Sequence, residues 1–190
     1  MSTITPKPAT IDDLYRVDGK AELIGGRIVR LMPSGYTPSQ VAFEIAVSLR
    51  DYVRGVGAGS ASADGLGYTV PELPSGRQSF CPDASFYAGP LPAKRMRFVE
   101  GPPTLAVEVR SENDYGPAAD RAIAAKRADY FEAGTAVVWD VDPVSEVVRV
   151  YRALDPTNPV AFSRGEIAEA EPAVPGWRVE VDRVFGPAEG

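Results

Sequence analysis

The sequence predicts a mixed α/β fold of the α+β kind, and three observations favour it. Two segments, residues 37–54 and 117–133, repeat apolar side chains at helical spacing. Short apolar runs separated by Gly and Pro turns predict strands around them. The second helical segment also stands between strand-like runs at residues 104–110 and 135–141, and this strand–helix–strand order indicates a crossover unit.

Length and composition fit one domain, because 190 residues with 44% hydrophobic and 24% charged side chains are ordinary for a globular protein. We expect a flexible tail over residues 1–10, one domain over 11–186 and a C-terminal tail over 187–190. No apolar run approaches the ~20 residues that span a bilayer, and the N-terminus lacks the apolar core of a signal peptide. With a single cysteine, Cys81, the sequence predicts a cytoplasmic protein that has no membrane partner and keeps this thiol in its core.

The N-terminal elements are a helical turn and a hairpin. Residues 11–15 form a turn of helix opened by Thr10. Residues 21–32 form a hairpin, because Gly25 and Gly26 separate two short apolar runs.

The first long helix should begin at Thr37 as the N-cap, with Pro38 in its first position and Gln40 completing a capping box. It should end near Gly55. The Gly-, Ala- and Ser-rich stretch at residues 55–67 predicts a short strand and a loop, and a further strand should follow at its end.

The next two strands each carry an acid. Residues 80–87 place Asp83 on one face by alternation, and residues 104–110 place Glu108 on the face opposite Val107. The second run is otherwise almost wholly apolar, as expected for a strand buried on both faces, so Glu108 stands out.

The second long helix, residues 117–133, should end at Gly134. Its core-facing stripe includes Lys126 between Ile123 and Tyr130. Its far side should face water and carries Arg121, Asp129 and Glu132. The remaining predicted strands are residues 135–141 and 145–153, paired as a hairpin, and then 160–163, 166–168 and 177–181.

Two inward acids and one inward cation suggest a site for a hard divalent metal, because a buried unpaired carboxylate costs several kcal/mol. Asp83, Glu108 and the carbonyl of Val109 offer oxygen ligands for Mg²⁺ or Mn²⁺, and Lys126 offers a group that holds water or phosphate. The implied reaction is phosphodiester hydrolysis. A purely structural ion network is the other interpretation, and a pairing of Arg110 with Glu108 would favour it.

The chain has no histidine, which excludes Ser-His-Asp triads, imidazole metal sites and histidine general bases. Zinc is a poor candidate for the same reason. The net charge of −6 argues against a broadly basic surface for nucleic acid. Lys94, Arg95 and Arg97 nevertheless form a local basic cluster, which is either a solvated loop or a binding patch.

Several ordered motifs resemble one family. They are Ala-Glu-Leu-Ile-Gly-Gly-Arg-Ile-Val-Arg-Leu-Met-Pro (21–33), Cys-Pro-Asp (81–83), Gly-Pro-Pro-Thr-Leu-Ala-Val-Glu-Val-Arg-Ser (101–111), Lys126 with Tyr130 and Gly134, and Val-Val-Trp-Asp-Val-Asp-Pro (137–143). This set is similar to the Uma-type putative restriction endonucleases of the PD-(D/E)XK nuclease superfamily. The resemblance implies a restriction-endonuclease-like core, with a central mixed β-sheet flanked by helices, an N-terminal hairpin and extra C-terminal strands.

The resemblance also implies roles for residues. Asp83 and Glu108 match the acids of the two motifs and are the implied metal ligands. The superfamily lysine usually sits two residues after the second acid, where this chain has Arg110, and Lys126 on the following helix matches the migrated lysine. Glu22 matches the Glu of the family's Glu-Leu motif and is an accessory candidate, as are Arg110 and Tyr130. The chain departs from the family at Gly25, often Asp, and in lacking a histidine near the start of the first long helix.

The implied function is Mg²⁺- or Mn²⁺-dependent DNA cleavage, with Asp83, Glu108 and Lys126 as catalytic residues and a homodimer as the simplest way to cut both strands. A catalytically silent binding or assembly module with the same fold is the alternative. A nuclease for RNA or branched DNA shares the same site.

Overall fold

A six-stranded mixed sheet forms the centre of the protein in the computed structural model, which describes residues 7–187. Residues 1–6 and 188–190, which belong to the two predicted tails, lie outside the described residues. The helices are α1 (Ile11–Leu14), α2 (Tyr36–Val56), α3 (Pro117–Ala133) and α4 (Val181–Phe185). The strands are β1 (Ala21–Ile24), β2 (Arg27–Arg30), β3 (Ser60–Ala63), β4 (Tyr68–Thr69), β5 (Ser79–Phe80), β6 (Ala84–Tyr87), β7 (Val99–Glu100), β8 (Leu105–Val109), β9 (Val137–Asp142), β10 (Val147–Arg152), β11 (Asp155–Phe162), β12 (Ile167–Glu169) and β13 (Arg178–Glu180).

The central sheet has the strand order β11-β10-β9-β8-β6-β3. Strands β8 and β9 are parallel and joined through α3, which is the predicted crossover, while the other neighbours are antiparallel. Two hairpins, β1–β2 and β12–β13, and a three-stranded sheet of order β5-β4-β7 pack around it. The mixed sheet and the N-terminal hairpin agree with the predicted fold class.

Helices cover both faces of the central sheet. On one face, α2 buries Val41, Ile45 and Leu49 against strand residues such as Val107 and Trp139. Trp177 from the C-terminal part stacks on Trp139 with ring centroids 4.9 Å apart, and its indole N–H donates to Ser48 of α2.

The opposite face carries α3 and the three-stranded sheet. Tyr130 of α3 stacks on Phe80 of β5 at 4.1 Å, and both pack with Ala106 and Val138 of the central sheet. The two hydrophobic clusters therefore lie on opposite faces of β8, because alternate residues of one strand point to opposite faces.

Several details differ from the sequence prediction. Helix α2 begins two residues earlier than predicted, with Gly35 as the N-cap and no side-chain cap, so the predicted capping box at Thr37 is wrong. Pro38 is tolerated there because the first N–H groups of a helix lack intrahelical acceptors. Residues 80–87 are two strands rather than one, and Asp83 lies in the bend between them. Strand β7 lies where the sequence predicted a connection. Helix α4 begins at Val181, the last residue of the final predicted strand, and continues beyond it.

The bend at Asp83 has a physical cause. Strand β5 belongs to the small sheet and β6 to the central one, so the chain changes sheets between them. Pro82 in this bend has no N–H for a ladder hydrogen bond. The Asp83 N–H donates to the carbonyl of Val107 at 3.0 Å and starts the pairing of β6 with β8.

Two glycines at helix ends give a matched stability test. Gly55 lies within α2, and a methyl group there meets no atom within 4 Å, so Gly55→Ala should raise the free energy of unfolding by about 0.5 kcal/mol. Gly134 ends α3 with φ +107°, so Gly134→Ala should lower it by about 1 kcal/mol through backbone strain. Urea denaturation of both variants measures this, and shifts of the same sign would contradict the assignment.

Candidate active site

An open cleft of about 500 Å³ lies between the β1–β2 hairpin, the end of β8 and helix α3. Its lining brings together the predicted residues Asp83, Glu108, Lys126, Glu22 and Arg110. The structure thus gathers groups that are more than 100 residues apart in sequence. Tyr130, the remaining candidate, lies beneath Glu108 in the buried layer between α3 and the sheet.

Asp83 is fixed by the strand next to it. Its Oδ2 accepts a hydrogen bond from the backbone N–H of Val109 at 2.9 Å, and its Oδ1 lies 3.1 Å from Nζ of Lys20. The Asp83 side chain is 16% exposed, so it is held in the wall of the cleft while remaining accessible from it.

Glu108 occupies the predicted face of β8. Its Oε2 lies 2.8 Å from Nζ of Lys126, and its Oε1 accepts from the hydroxyl of Tyr130 at 2.6 Å. Burial raises the pKa of Glu108, and although Lys126 opposes this rise, the neighbouring negative charges of Asp83 and Glu22 add to it. Burial and the adjacent Glu108 carboxylate also raise the pKa of Tyr130 well above its ordinary value, which keeps its hydroxyl protonated as a donor.

Lys126 lies on the core-facing stripe of α3, as the helical pattern predicts. Burial disfavours its charge, but Glu108 and Glu22 outweigh this penalty and raise the pKa of Lys126, so the side chain is an ammonium. Its Nζ lies 3.3 Å from Oε1 of Glu22, so the two acids hold it from two directions.

Glu22 of β1 is the most enclosed acid of the cleft, with 2% of its surface exposed. It accepts hydrogen bonds from the Cys81 backbone N–H at 3.0 Å and from the guanidinium of Arg77, and it forms an ion pair with Lys126. Burial opposes its charge, yet Lys126 and Arg77 hold the pKa of Glu22 below its ordinary value. Cys81 is buried as predicted, and burial raises the pKa of its thiol to about 11.

Arg110 does not pair with Glu108. Its guanidinium binds the buried carboxylate of Asp140 through two hydrogen bonds of 2.8 and 2.9 Å, and a third nitrogen donates to Asp120. Asp140 lies opposite Glu108 on the neighbouring strand β9. Arg110 therefore neutralises Asp140 in the cleft wall. The Arg110–Glu108 pair, which would have favoured a purely structural ion network, does not form.

Sequence reasoning missed four groups in or beside this cleft: Lys20, Arg77, Asp64 and Asp140, of which Asp64 is not in the lining but pairs with Lys20. The first three lie just outside strands, in segments with no periodic pattern to set their direction. Asp140 had a usable signal, because an acid within a buried strand needs a partner. Asp129, which the pattern placed toward water, instead accepts from Arg77 at 2.9 Å. The basic cluster of residues 94–97 is not part of the described cleft lining.

The charges around the acids suit a divalent cation. Linked ion pairs join five acids, Glu22, Asp64, Asp83, Glu108 and Asp129, to three bases, Lys20, Arg77 and Lys126, which leaves two negative charges when all are ionised. Each oxygen of Asp83 and Glu108 accepts one hydrogen bond and keeps a further lone pair.

Among residues 7–187, no three His, Cys, Asp or Glu side chains are arranged to hold an ion by themselves. Asp83 and Glu108 are the two carboxylates of the cleft that could hold an ion, whose other positions would be filled by water or substrate oxygens. Mg²⁺ binds proteins in this way, whereas Ca²⁺ takes more ligands.

A mixed sheet flanked by helices, with acids and a lysine at one open cleft, defines the class as a restriction-endonuclease-like nuclease fold. A solved structure, described as a putative nuclease belonging to DUF820 from Anabaena variabilis ATCC 29413, superposes with a TM-score of 0.71 at 20% identity over 94% of this chain and 98% of that chain. The family model Uma2, described as putative restriction endonuclease, matches residues 9–182, and the chain belongs to this family. No curated protein matches the chain.

The family match confirms the predicted resemblance and supports a nuclease function, and the solved structure confirms the fold. In the part of the chain that the structure describes, no helix is both long enough and apolar enough to cross a membrane.

The buried pairing of Glu22 gives a stability prediction. Glu22→Gln should lower the free energy of unfolding by about 3 kcal/mol, because it removes the charge that compensates Arg77 and Lys126 in a buried setting. The control is Asp51→Asn, which breaks an exposed pair with Arg50 and should stay within about 0.5 kcal/mol of wild type. Urea denaturation measures both, and similar losses for the two variants would contradict the central place of Glu22.

Proposed function

We propose that this protein is a Mg²⁺-dependent DNA endonuclease that hydrolyses phosphodiester bonds through Asp83, Glu108 and Lys126. The observation that carries the proposal is that these three side chains, from a bend, a strand and a helix, line one open cleft. The family and the fold support the nuclease part of this statement.

Asp83 and Glu108, with the carbonyl of Val109, are the groups that would hold the metal. A bound Mg²⁺ would neutralise charge on the scissile phosphate and lower the pKa of a water molecule. The Val109 N–H fixes one oxygen of Asp83, and the Tyr130 hydroxyl fixes one oxygen of Glu108. Both carboxylates are thereby oriented before any ion arrives, which reduces the ordering that binding requires.

Lys126 supplies the positive charge on the protein side of the reaction. Its ammonium is held between Glu22 and Glu108 at 3.3 and 2.8 Å, and one of its three N–H donors remains for a water or a phosphate oxygen. A preorganised donor of this kind stabilises the charge that develops on a phosphate in the transition state. Mn²⁺ should substitute for Mg²⁺, since both are hard cations that accept carboxylate ligands.

DNA as the substrate, a cytoplasmic location and a homodimer belong to the same proposal. A duplex has two strands to cut, and a twofold pair of identical clefts is the simplest arrangement that reaches both.

A catalytically silent binding or assembly module is the second candidate function. One observation favours it: all four carboxylate oxygens of Asp83 and Glu108 already accept hydrogen bonds from Lys20, Val109, Lys126 and Tyr130. A network satisfied in this way is stable without an ion. Under this candidate the protein keeps the fold and binds neither metal nor a cleavable phosphate.

Metal binding separates the two candidates. Isothermal titration with Mn²⁺ should show one site with a dissociation constant in the micromolar to millimolar range for the wild type, and no binding for Asp83→Ala or Glu108→Ala. Asp51→Ala removes an exposed acid far from these ligands in sequence and should bind as the wild type does. If the wild type binds no Mn²⁺, or if all four proteins bind it equally, the proposed site is ruled out.

Lys126 gives a test of catalysis. With plasmid DNA and Mg²⁺, Lys126→Ala should cut at least 10²-fold more slowly than the wild type. It loses the preorganised ammonium that stabilises the negative charge developing on the phosphate in the transition state. Arg121→Ala is the matched control, since it removes a cation from the exposed side of the same helix. Circular dichroism confirms that both variants are folded. Equal cleavage by Lys126→Ala and the control would remove the lysine from the mechanism.

A further inference from the structure

The contact between Lys20 and Asp83 has no part in the proposed mechanism. Lys20 comes directly before β1, and its Nζ lies 3.1 Å from Oδ1 of Asp83. The same Nζ also contacts the carboxylate of Asp64, which directly follows β3. One ammonium therefore bridges two acids from separate parts of the chain, and both Lys20 and Asp83 line the cleft.

We propose that Lys20 is a displaceable counter-ion that sets the metal affinity of the cleft. In the metal-free protein it neutralises Asp83, and when a divalent ion binds Asp83 it stays on Asp64 alone. This inference rests on the proposed function, since it takes Asp83 as a metal ligand.

The two lysines of the cleft differ in how firmly they are held. Lys126 is tied to two acids, Glu108 and the buried Glu22, so its departure removes a cation from both. The second partner of Lys20 is Asp64, whose side chain is 51% exposed. Lys20 can therefore leave Asp83 and keep a carboxylate partner that faces water.

Charge repulsion opposes the simultaneous binding of Lys20 and a divalent ion to Asp83. An ammonium and a divalent cation on the same carboxylate repel each other strongly at contact distance, especially in a partly enclosed cleft. Lys126 meets the same repulsion at Glu108 but is held there by the buried Glu22, whereas Lys20 can move to Asp64. The displacement of Lys20 costs free energy and so weakens metal binding. Asp64 favours the metal-bound state, because it offers the displaced ammonium a carboxylate of its own.

Mn²⁺ titration of full-length variants by calorimetry tests this arrangement. Lys20→Met removes the competing charge and should lower the dissociation constant about tenfold. Lys20→Gln, which keeps a hydrogen-bonding side chain without the charge, should bind tighter in the same way, and Lys20→Arg should bind like the wild type. Lys94→Met removes the same charge from an exposed loop and should change affinity by less than about twofold.

Asp64→Asn tests the second part of the proposal by a double-mutant cycle. In the wild-type background it should weaken Mn²⁺ binding several-fold, because Lys20 then stays on Asp83. In the Lys20→Met background it should have little effect, because no ammonium is left to relocate. An equal loss in both backgrounds shows that Asp64 acts only through its own charge, and it overturns the relocation of Lys20.

The outcomes separate this inference from the proposed function. If the wild type binds Mn²⁺ and neither neutral variant binds tighter, Lys20 only braces Asp83, and this inference fails while the metal site stands. If neither the wild type nor the neutral variants bind, both fail. A Lys20→Gln protein that does not fold, judged by circular dichroism, also overturns it, because a contact required for folding is not displaceable.

Discussion

Burial of the Glu22 carboxylate is the constraint on which the rest of the cleft depends. An acid removed from water without partners costs several kcal/mol, so donors must surround it. They come from three places: the backbone of Cys81 before β6, the side chain of Arg77 before β5, and Lys126 of α3. One carboxylate in the hairpin thus joins the two sheets and the crossover helix into one site.

The same constraint explains why α3 sits as it does. Helix α2 is anchored by a row of apolar side chains, whereas in α3, all of whose residues are described, only Tyr130 is fully buried. Polar contacts replace the missing apolar ones. The pair of Lys126 with Glu108 holds the middle of the helix, and the pair of Asp129 with Arg77 holds its C-terminal part. Hydrogen bonds are directional and packing is not, so a helix docked in this way fixes the positions of its charged atoms. α2 chiefly stabilises the fold, and α3 chiefly sets the site.

Most of the side-chain positions that the sequence predicted lie in helices and strands, whose residue patterns repeat. The face of Glu108 and the stripe that holds Lys126 followed from strand and helix repeats, because regular backbone geometry fixes side-chain direction. Loops have no such repeat, so the sequence could not predict that Lys20 contacts Asp83 or that Arg77 contacts Glu22. Asp83 was found, but in a strand rather than a bend, because a switch between two sheets is a tertiary event that local propensity does not encode.

The position of Lys126 follows from the acid beside Glu108. Glu108 and Asp140 are opposite each other on parallel neighbouring strands, where backbones lie about 4.8 Å apart, so two unneutralised carboxylates there would repel each other. Arg110, two residues after Glu108, is committed to Asp140 by two hydrogen bonds and cannot also serve Glu108. The cation for Glu108 must then come from another element, and the helix that crosses over this face supplies Lys126. An arginine directly after the strand and a lysine in the helix therefore together neutralise two adjacent acids.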